Sequence, residues 1–214
     1  EIYQFITSNS IPNRLAFTFK NSASTQSLKN INLGLAADGF IGKIRVLDCQ
    51  NKECFLNLSK KSLGAGYENY VLKNASDVIV GEITLNVNKC LSYDKLEYDS
   101  DPSHVFIHGL FNYSNPKTPY YKNIQQYKNI GTRLMQIALK RSYEGMCNGN
   151  LKLIAKNNSK AWYKNKIGMR EEFPDTGKSK YGFSVHNPNS LILPPDAKES
   201  LSTLLGGLWY IFLM

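Results

Sequence analysis

The sequence predicts an α/β fold whose central sheet is mixed, mostly antiparallel and flanked by helices. Short β-branched runs separated by polar turns fill residues 40–88, which is typical of an antiparallel meander. Residues 104–187 alternate strand-like and helix-like segments and end on a hairpin pattern. A meander followed by strand, helix, strand, helix and hairpin therefore predicts one sheet of mixed direction.

The meander is predicted from alternation and β-branching. Residues 40–48 alternate, and residues 67–74 and 78–88 form two strand-like runs about a polar turn, which indicates a hairpin. Residues 54–59 fit either a strand or one turn of helix. Residues 78–88 also present two distinct faces. One face carries Val78, Val80, Glu82, Thr84 and Asn86, and the other carries Ile79, Gly81, Ile83, Leu85 and Val87.

The second half is predicted from its helical and strand periods. Residues 104–112 are nearly all apolar, as expected of a central strand covered on both faces. An amphipathic helix begins at Ile130, where apolar residues recur near 3.6 spacing, and ends at Gly145. The remaining elements are a strand at 150–155, a short capped helix at 157–166 and a final hairpin of 167–173 and 181–187.

The composition is that of one folded domain with room for an extension. The chain has 214 residues, of which 42% are hydrophobic and 20% charged, so it can build an ordinary core. The net charge of +9 suits a nucleotide cofactor, a nucleic acid or an acidic membrane surface. The basic residues are scattered rather than gathered in one block, so no nucleic acid is expected as a partner.

Cysteine spacing and hydropathy argue against a metal-binding protein and against a membrane-spanning one. The four cysteines, Cys49, Cys54, Cys90 and Cys147, form no CxxC pair and have no histidine at zinc spacing, which predicts reduced structural thiols and no metal site. No stretch reaches the ~20 apolar residues of a membrane span, so none is expected. The apolar run 204–214 is interpreted as a docked strand or helix, with a membrane or partner anchor as the alternative.

The start of the long helix is a candidate anion site. The first four N–H groups of a helix have no internal partner, and the helix dipole adds partial positive charge there. Gly131 removes a Cβ that would stand between the backbone and a phosphate, and Lys128 and Arg133 add cationic side chains. The spacing fits neither a P-loop nor a dinucleotide fingerprint. The segment therefore either binds an anion or simply begins a helix.

Two motifs connect this helix start to a known family. "QYKNIG" (126–131), followed by "TRLM" (132–135), resembles the Q/R-x-x-G-x-G/A signature and helix start of the GNAT family of N-acetyltransferases. "NNSKAWYKNKIGM" (157–169) is similar to the family's Asn…aromatic-Tyr…Gly-Phe segment, and a predicted strand separates the two motifs. The resemblance covers roughly residues 67–187 and implies a GNAT-like acyl-CoA N-acyltransferase fold.

Three features depart from the family's pattern. Asn129 stands where the signature has its first glycine, and asparagine is the non-glycine residue that best tolerates left-handed backbone angles. Met169 replaces the final aromatic residue, and the loop before Gln126 is longer than is usual in the family. The predicted domain boundaries are an N-terminal extension at 1–40, a GNAT-like domain at 41–187 and an apolar C-terminal extension at 188–214.

The resemblance implies acetyl-CoA as the cosubstrate. Backbone groups of Leu110, Phe111 and Asn112 would pair with the pantetheine arm as if it were an added strand. Asn158, or else Asn157, would reach the arm or the thiol region. The backbone groups that would hold the pyrophosphate belong to Gln126, Tyr127, Lys128, Asn129, Ile130, Gly131 and Thr132.

The resemblance also implies direct transfer of the acetyl group to an amine, which must be neutral to attack. Tyr163 occupies the position of the family's acid, although it would also serve as a core aromatic residue. Glu82 is the first candidate base because a carboxylate inside an apolar strand is costly without a partner or a task. The alternative is that Glu82 faces solvent beside Lys73 or another cation. His108 is the second candidate base, acting directly or through water, with a hydrogen-bonded core residue as the alternative.

The sequence leaves the acceptor open. The expected partner is an amine-bearing small molecule, or the lysine or N-terminus of a protein, and a homodimer is compatible with the resemblance. The acidic residues of the loop before the central strand either attract a cationic amine or form a solvated loop: Asp94, Glu97, Asp99 and Asp101. Reduced thiols and a cytosolic cofactor together predict a cytoplasmic protein.

Two other functions stand as alternatives. A non-catalytic domain of the same fold would bind acyl-CoA or a protein partner, and Asn129, the longer loop and the N-terminal residues 1–40 favour it. A basic nucleic-acid-binding module would show affinity that falls steeply with salt. The chain has no aromatic-basic motif that would support this third function.

Overall fold

The computed structural model describes residues 32–87, 103–114, 125–172 and 189–203. Several predicted features lie outside these ranges: most of the N-terminal extension, the acidic loop residues Asp94 to Asp101, the second strand of the final hairpin at 181–187, and the apolar run 204–214.

One sheet of nine strands organises the part of the chain that the structure describes. Its order is β6-β1-β2-β3-β4-β5-β7-β9-β8. Neighbouring strands are antiparallel throughout, except that β5 and β7 are parallel. The predicted α/β class with a mixed, mostly antiparallel sheet is therefore confirmed. The strands are β1 (Gly39–Asp48), β2 (Glu53–Gly64), β3 (Tyr67–Lys73), β4 (Ile79–Asn86), β5 (Val105–Asn112), β6 (Tyr127–Lys128), β7 (Leu151–Ile154), β8 (Arg170–Glu171) and β9 (Ser190–Ile192).

Three helices accompany the sheet in the described ranges. They are α1 (Ile130–Glu144), α2 (Asn157–Trp162), which continues as one π-helical turn (Tyr163–Ile167), and α3 (Pro195–Thr203). The helix begins at Ile130 and is followed by Gly145, as the sequence predicts. Residues 54–59, which fitted either a strand or a helical turn, lie within β2.

The meander follows the alternation of its side chains. In β4, Ile83 and Leu85 are buried whereas Glu82 and Thr84 are half-buried, as the predicted separation of faces requires. The prediction is wrong at the start of the strand, where Val80 is buried and Ile79 is exposed because the pairing with β3 shifts register there. Gly81 belongs to the inner face, where a Cβ would lie 2.5 Å from Ile130 Cγ2 of α1. Helix α1 thus packs directly on β4, and the outer face of the strand carries Glu82.

Helix α1 is buried on more sides than its amphipathic pattern predicts. Its polar residues Arg133, Gln136, Lys140 and Arg141 are all buried. Gln136 Nε2 donates to Leu201 O of α3 at 2.9 Å, and Lys140 forms an ion pair with Glu144 at 2.9 Å. Polar side chains are buried only when such partners are present. The helix therefore lies between the sheet and α3 rather than on the surface.

The sheet opens along the second half of β5. Parallel pairing with β7 is confined to Val105, Phe106 and Ile107, and β7 ends at Ile154. Beyond Ile107, no strand of the described residues pairs with that edge of β5. The expectation of a strand covered on both faces therefore fails for this half, where His108 is exposed and Phe111 is 48% exposed.

The C-terminal part of the described chain completes the sheet. β9 lies between β7 and β8, and α3 follows it. The predicted domain boundary at 187 falls outside the described residues, but Ser190–Ile192, three residues beyond it, is an interior strand. The segment interpreted as an extension therefore contributes a strand and a helix to the same fold.

The cysteines differ from the prediction at one position. Cys147 is disulfide-bonded, so the expectation of reduced thiols is wrong there. Cys49 and Cys54 are free. Among the described residues, no group of three or more His, Cys, Asp or Glu side chains is placed to hold a metal ion. No described helix is both long enough and apolar enough to cross a membrane.

Candidate functional site

A cleft of about 770 Å³ lies where the sheet opens beside β5. Three elements form its walls: the end of β5, the first turn of α1, and α2 with its π-helical turn. It is lined by Leu110, Phe111, Asn112, Tyr113, Asn129, Ile130, Gly131, Thr132, Asn158, Ser159, Trp162, Tyr163 and Lys166. Nine of the predicted site residues belong to this lining, namely Leu110, Phe111, Asn112, Asn129, Ile130, Gly131, Thr132, Asn158 and Tyr163. The structure therefore brings together residues more than 50 positions apart in the sequence.

The first wall is the open edge of β5. From His108 onward the backbone on the β7 side pairs with no strand in the described ranges. The edge of a sheet presents unpaired N–H and C=O groups to whatever lies beside it. Leu110, Phe111 and Asn112 occupy this edge, so an extended chain in the cleft has backbone groups with which to pair.

The second wall is the start of α1. Asn129 precedes the helix in the left-handed conformation, with φ 63° and ψ 21°, as its tolerance of such angles predicts. Its side chain makes no capping hydrogen bond, and the first turn contains no acidic residue. The N–H groups of that turn lack intrahelical partners. This end of the cleft is therefore suited to a negative charge.

Packing against Trp162 gives a structural reason for a glycine at position 131, beside the predicted approach of a phosphate. A Cβ at this position would lie 2.9 Å from Cζ2 of the Trp162 ring, a distance at which one of the two would have to move. The absence of a side chain at Gly131 therefore admits the indole of Trp162, and Gly131 also belongs to the cleft lining.

The residues before the helix lie outside the cleft lining. Tyr127 is buried in β6, where its N–H donates to Ser114 Oγ and its hydroxyl donates to Gln125 Oε1 at 2.8 Å. Lys128 Nζ donates to Asn51 Oδ1 at 2.6 Å. Gln126 is exposed at the start of this segment. The structure does not bring Gln126, Tyr127 or Lys128 to the cleft.

The cation beside the cleft is Lys166 rather than Arg133. Arg133 is buried, and burial, with a further contribution from Arg45, lowers its pKa to about 10. Arg133 and Asn129 border a separate, smaller cavity of about 220 Å³. Lys166 lines the main cleft and is exposed. Positive charge therefore reaches the cleft from the α2 side.

The third wall holds Tyr163 at the junction of α2 and its π-helical turn. The side chain is buried and packs edge-on against Trp162, with ring centroids 4.9 Å apart. Burial raises the pKa of Tyr163 to about 12. The phenol therefore stays protonated near neutral pH, where it is able to donate a proton or a hydrogen bond.

Glu82 lies beside the cleft rather than in its lining. Its Oε1 accepts a hydrogen bond from the Tyr113 hydroxyl, and its Oε2 accepts one from Asn69 Nδ2 at 3.5 Å. Lys73, the cation suggested as an alternative partner, pairs with Asp77 at 3.0 Å. Glu82 is therefore connected to the cleft through Tyr113.

His108 is placed away from the cleft. His108 is exposed on β5, and its ring packs edge-on against that of Tyr67, with the two ring centroids 5.6 Å apart. The strand pairing shifts between Thr84 and Leu85, opposite this part of β5. His108 is therefore neither in the cleft lining nor a buried core residue.

Four lining residues were missed in the sequence: Tyr113, Ser159, Trp162 and Lys166. Three of them lie inside the second motif, so a helical projection of residues 157–166 would have placed them beside Asn158 and Tyr163. Tyr113 directly follows the apolar strand and carried no signal of its own. Its place depends on where β5 ends relative to β4.

Comparison with known proteins finds distant structural similarity. No protein-family model matches the chain, and no curated protein matches it. A solved structure of an acetyltransferase of the GNAT family from Staphylococcus aureus Mu50 is similar over 61% of this chain and 68% of that chain, with 18% identity and a TM-score of 0.38. A match this distant leaves the activity of the present chain to be decided from its own residues.

Proposed function

We propose that this protein is an N-acetyltransferase that transfers an acetyl group from acetyl-CoA directly to an amine. The observation that carries the proposal is the cleft itself, where an open strand edge, a helix start and a protonated tyrosine meet. The motif resemblance at 126–131 and 157–169 supports the same function. The acceptor is an amine on a small molecule, or a lysine or N-terminus of a protein. The proposed compartment is the cytoplasm, which the cytosolic cosubstrate alone supports, because the disulfide of Cys147 removes the argument from reduced thiols.

The cleft residues fit the cosubstrate in three places. The backbone of Leu110, Phe111 and Asn112 offers an unpaired edge to the amide groups of a pantetheine arm. The first turn of α1, without an acidic residue or a side-chain cap, suits a pyrophosphate. Asn158 and Lys166 line the facing wall, where an amide and an ammonium group are available to the arm and the phosphates.

Tyr163 is the proposed proton donor. A neutral amine attacks the thioester carbonyl, so that a C–N bond forms while the C–S bond breaks. The sulfur takes the hydroxyl proton of Tyr163, and the proton that the nitrogen loses returns to Tyr163 through solvent. Tyr163 is protonated near neutral pH because burial raises its pKa, so its hydroxyl is available as a donor when the thiolate, a stronger base than the thioester, departs.

A matched pair of variants at Thr132 tests the anion site. Thr132 lines the cleft in the first turn of α1, where an acidic side chain stabilises a helix. Thr132→Glu should therefore keep the fold while it repels a phosphate. Calorimetric titration should show acetyl-CoA affinity about tenfold weaker, or about 1.4 kcal/mol, in Thr132→Glu than in the isosteric Thr132→Gln.

Two further ligands identify which part of the cosubstrate is held. Desulfo-CoA should bind like acetyl-CoA, and adenosine 3′,5′-bisphosphate, which lacks the pyrophosphate and the arm, should bind much more weakly. Equal affinities of the two Thr132 variants for acetyl-CoA would contradict the anion site. Absence of binding by the wild-type protein to all three ligands would contradict the proposed function.

One observation favours a non-catalytic binding module as the second candidate. The Trp162 ring fills the space over Gly131, which narrows the helix start. A module of this kind would bind acyl-CoA or a protein partner without turnover. Binding of acetyl-CoA with no product from any amine would support it.

A further inference from the structure

Tyr113 joins the cleft to a carboxylate that does not itself line it. The Tyr113 side chain belongs to the cleft wall, and its hydroxyl donates a hydrogen bond to Glu82 Oε1. Glu82 is half-buried on the face of β4 opposite α1. A phenol oxygen can take up one proton while it passes its own proton on, so this contact forms a path from the cleft to the carboxylate.

The strand pairing fixes this contact. Glu82 and Phe111 are direct partners in the β4–β5 ladder, and the Tyr113 N–H donates to Val80 O of β4 at 3.1 Å. The Tyr113 ring stacks on that of Phe111, with centroids 6.1 Å apart and planes inclined by 7°. The ring is therefore held between the open strand edge and Glu82 by backbone and side-chain contacts together.

The hydrogen-bond donors to Glu82 are uncharged. They are Tyr113 and Asn69, and no lysine or arginine of the described ranges forms an ion pair with Glu82. A carboxylate paired with a cation would be a weaker base. The arrangement differs in this respect from Glu68, which Arg141 holds by two hydrogen bonds of 2.8 and 3.0 Å.

We infer that Tyr113 relays a proton from the acceptor ammonium group to Glu82. The inference rests on the proposed function, because an amine must lose a proton before it attacks. In this step the N–H bond of the ammonium breaks and its proton goes to the Tyr113 oxygen, while the original hydroxyl proton goes to Glu82. The nitrogen keeps the electron pair, Tyr113 ends as a neutral phenol, and Glu82 ends as a carboxylic acid that later loses its proton to solvent.

Two acceptor amines of similar size test the relay. Ethylamine is an ammonium ion near neutral pH and needs deprotonation, whereas 2,2,2-trifluoroethylamine is already neutral because fluorine withdraws electrons. The measured quantity is kcat/KM for each amine with saturating acetyl-CoA. Tyr113→Phe keeps the stacked ring and removes the relay, and Tyr67→Phe, on β3 outside the cleft lining, is the matched control.

The expected result is selective for the charged amine. Tyr113→Phe should lower kcat/KM for ethylamine about a hundredfold and should leave that for trifluoroethylamine nearly unchanged. Glu82→Gln should behave in the same way. The double variant should lose no more than either single variant, because both changes interrupt one path. Tyr67→Phe should match the wild type with both amines.

The outcomes separate the inference from the function on which it rests. Equal losses with both amines in Tyr113→Phe would show a structural role and overturn the relay. Wild-type rates with ethylamine in Tyr113→Phe would overturn it as well. Failure of the wild-type protein to acetylate either amine would contradict the proposed transfer itself, and the relay would be rejected with it.

Discussion

The hydroxyl and the ring of Tyr163 serve different purposes. The ring is buried and packs edge-on against Trp162, which in turn fills the space over Gly131. The hydroxyl belongs to a residue that lines the cleft. The two interpretations of this residue in the sequence, core anchor and proton donor, are therefore compatible in the structure, and a change that keeps the ring tests the hydroxyl alone.

Tyr163→Phe should lower kcat on the order of a hundredfold, because it removes the proton donor and keeps the packing. Steady-state kinetics with acetyl-CoA and an amine acceptor would measure kcat, and calorimetry would measure acetyl-CoA affinity, which should stay at the wild-type value. Tyr143→Phe is the control, since burial also raises the pKa of Tyr143 but this residue lies on α1 away from the cleft lining. Unchanged kcat in Tyr163→Phe would exclude this residue as the donor.

At the scale of elements, the position of the cleft depends on how closely α1 approaches β4. Gly81 is the point of contact: a Cβ there would lie 2.5 Å from Ile130 Cγ2 and 3.3 Å from both Leu134 Cδ1 and Phe111 O. Ile130 is the first residue of α1 and also lines the cleft. A larger residue at position 81 would therefore displace the helix start.

Gly81→Ala should lower the free energy of unfolding by about 1–3 kcal/mol, the usual cost of overpacking a core. Urea unfolding measures this quantity. Gly109→Ala on the neighbouring strand is the control and should cost less, because its closest neighbour is the Phe111 side chain, which is 48% exposed, rather than a buried side chain and backbone. Equal costs at the two positions would show that the approach of α1 to β4 is not tight.

The elements could be predicted from the sequence because each has a local cause. The alternation of 78–88, the helix start at Ile130 and the left-handed Asn129 all follow from properties of a few neighbouring residues. The contact of Trp162 with Gly131 could not be predicted, since the two residues lie 31 positions apart in chain order and meet only when α2 packs beside α1. The same holds for Tyr113 and Glu82, whose contact depends on the register between β4 and β5.

At the scale of the whole molecule, ion pairs join the last strands to the rest of the sheet. Glu172, directly after β8, pairs with Lys152 of β7 and accepts a hydrogen bond from Ser190 Oγ of β9 at 2.6 Å. Burial raises the pKa of Glu172, but the hydrogen bonds from Lys152 and Ser190 and the charge of Lys152 outweigh it, so that the net shift is downward. One carboxylate thus links three strands.

A carboxyl group whose pKa is lower in the folded than in the unfolded state stabilises the fold above its unfolded pKa and ceases to do so as pH falls through the folded value. Glu172→Gln should therefore be less stable than wild type at about pH 6, and the difference should shrink towards about pH 3. Urea unfolding across this range measures the difference. Glu199→Gln, on the exposed part of α3, is the control and should follow the wild type. If the difference in the free energy of unfolding between Glu172→Gln and the wild type stayed constant with pH, the charge of Glu172 would not be what stabilises the fold.

The place of β9 has a consequence for synthesis of the chain. β7 and β8 leave the ribosome first, yet in the finished sheet β9, which is made after both, lies between them, and β7 pairs with β5 on its other side. Until residue 192 has emerged, β7 keeps one edge unpaired, and an unpaired edge is a template for association with other nascent chains.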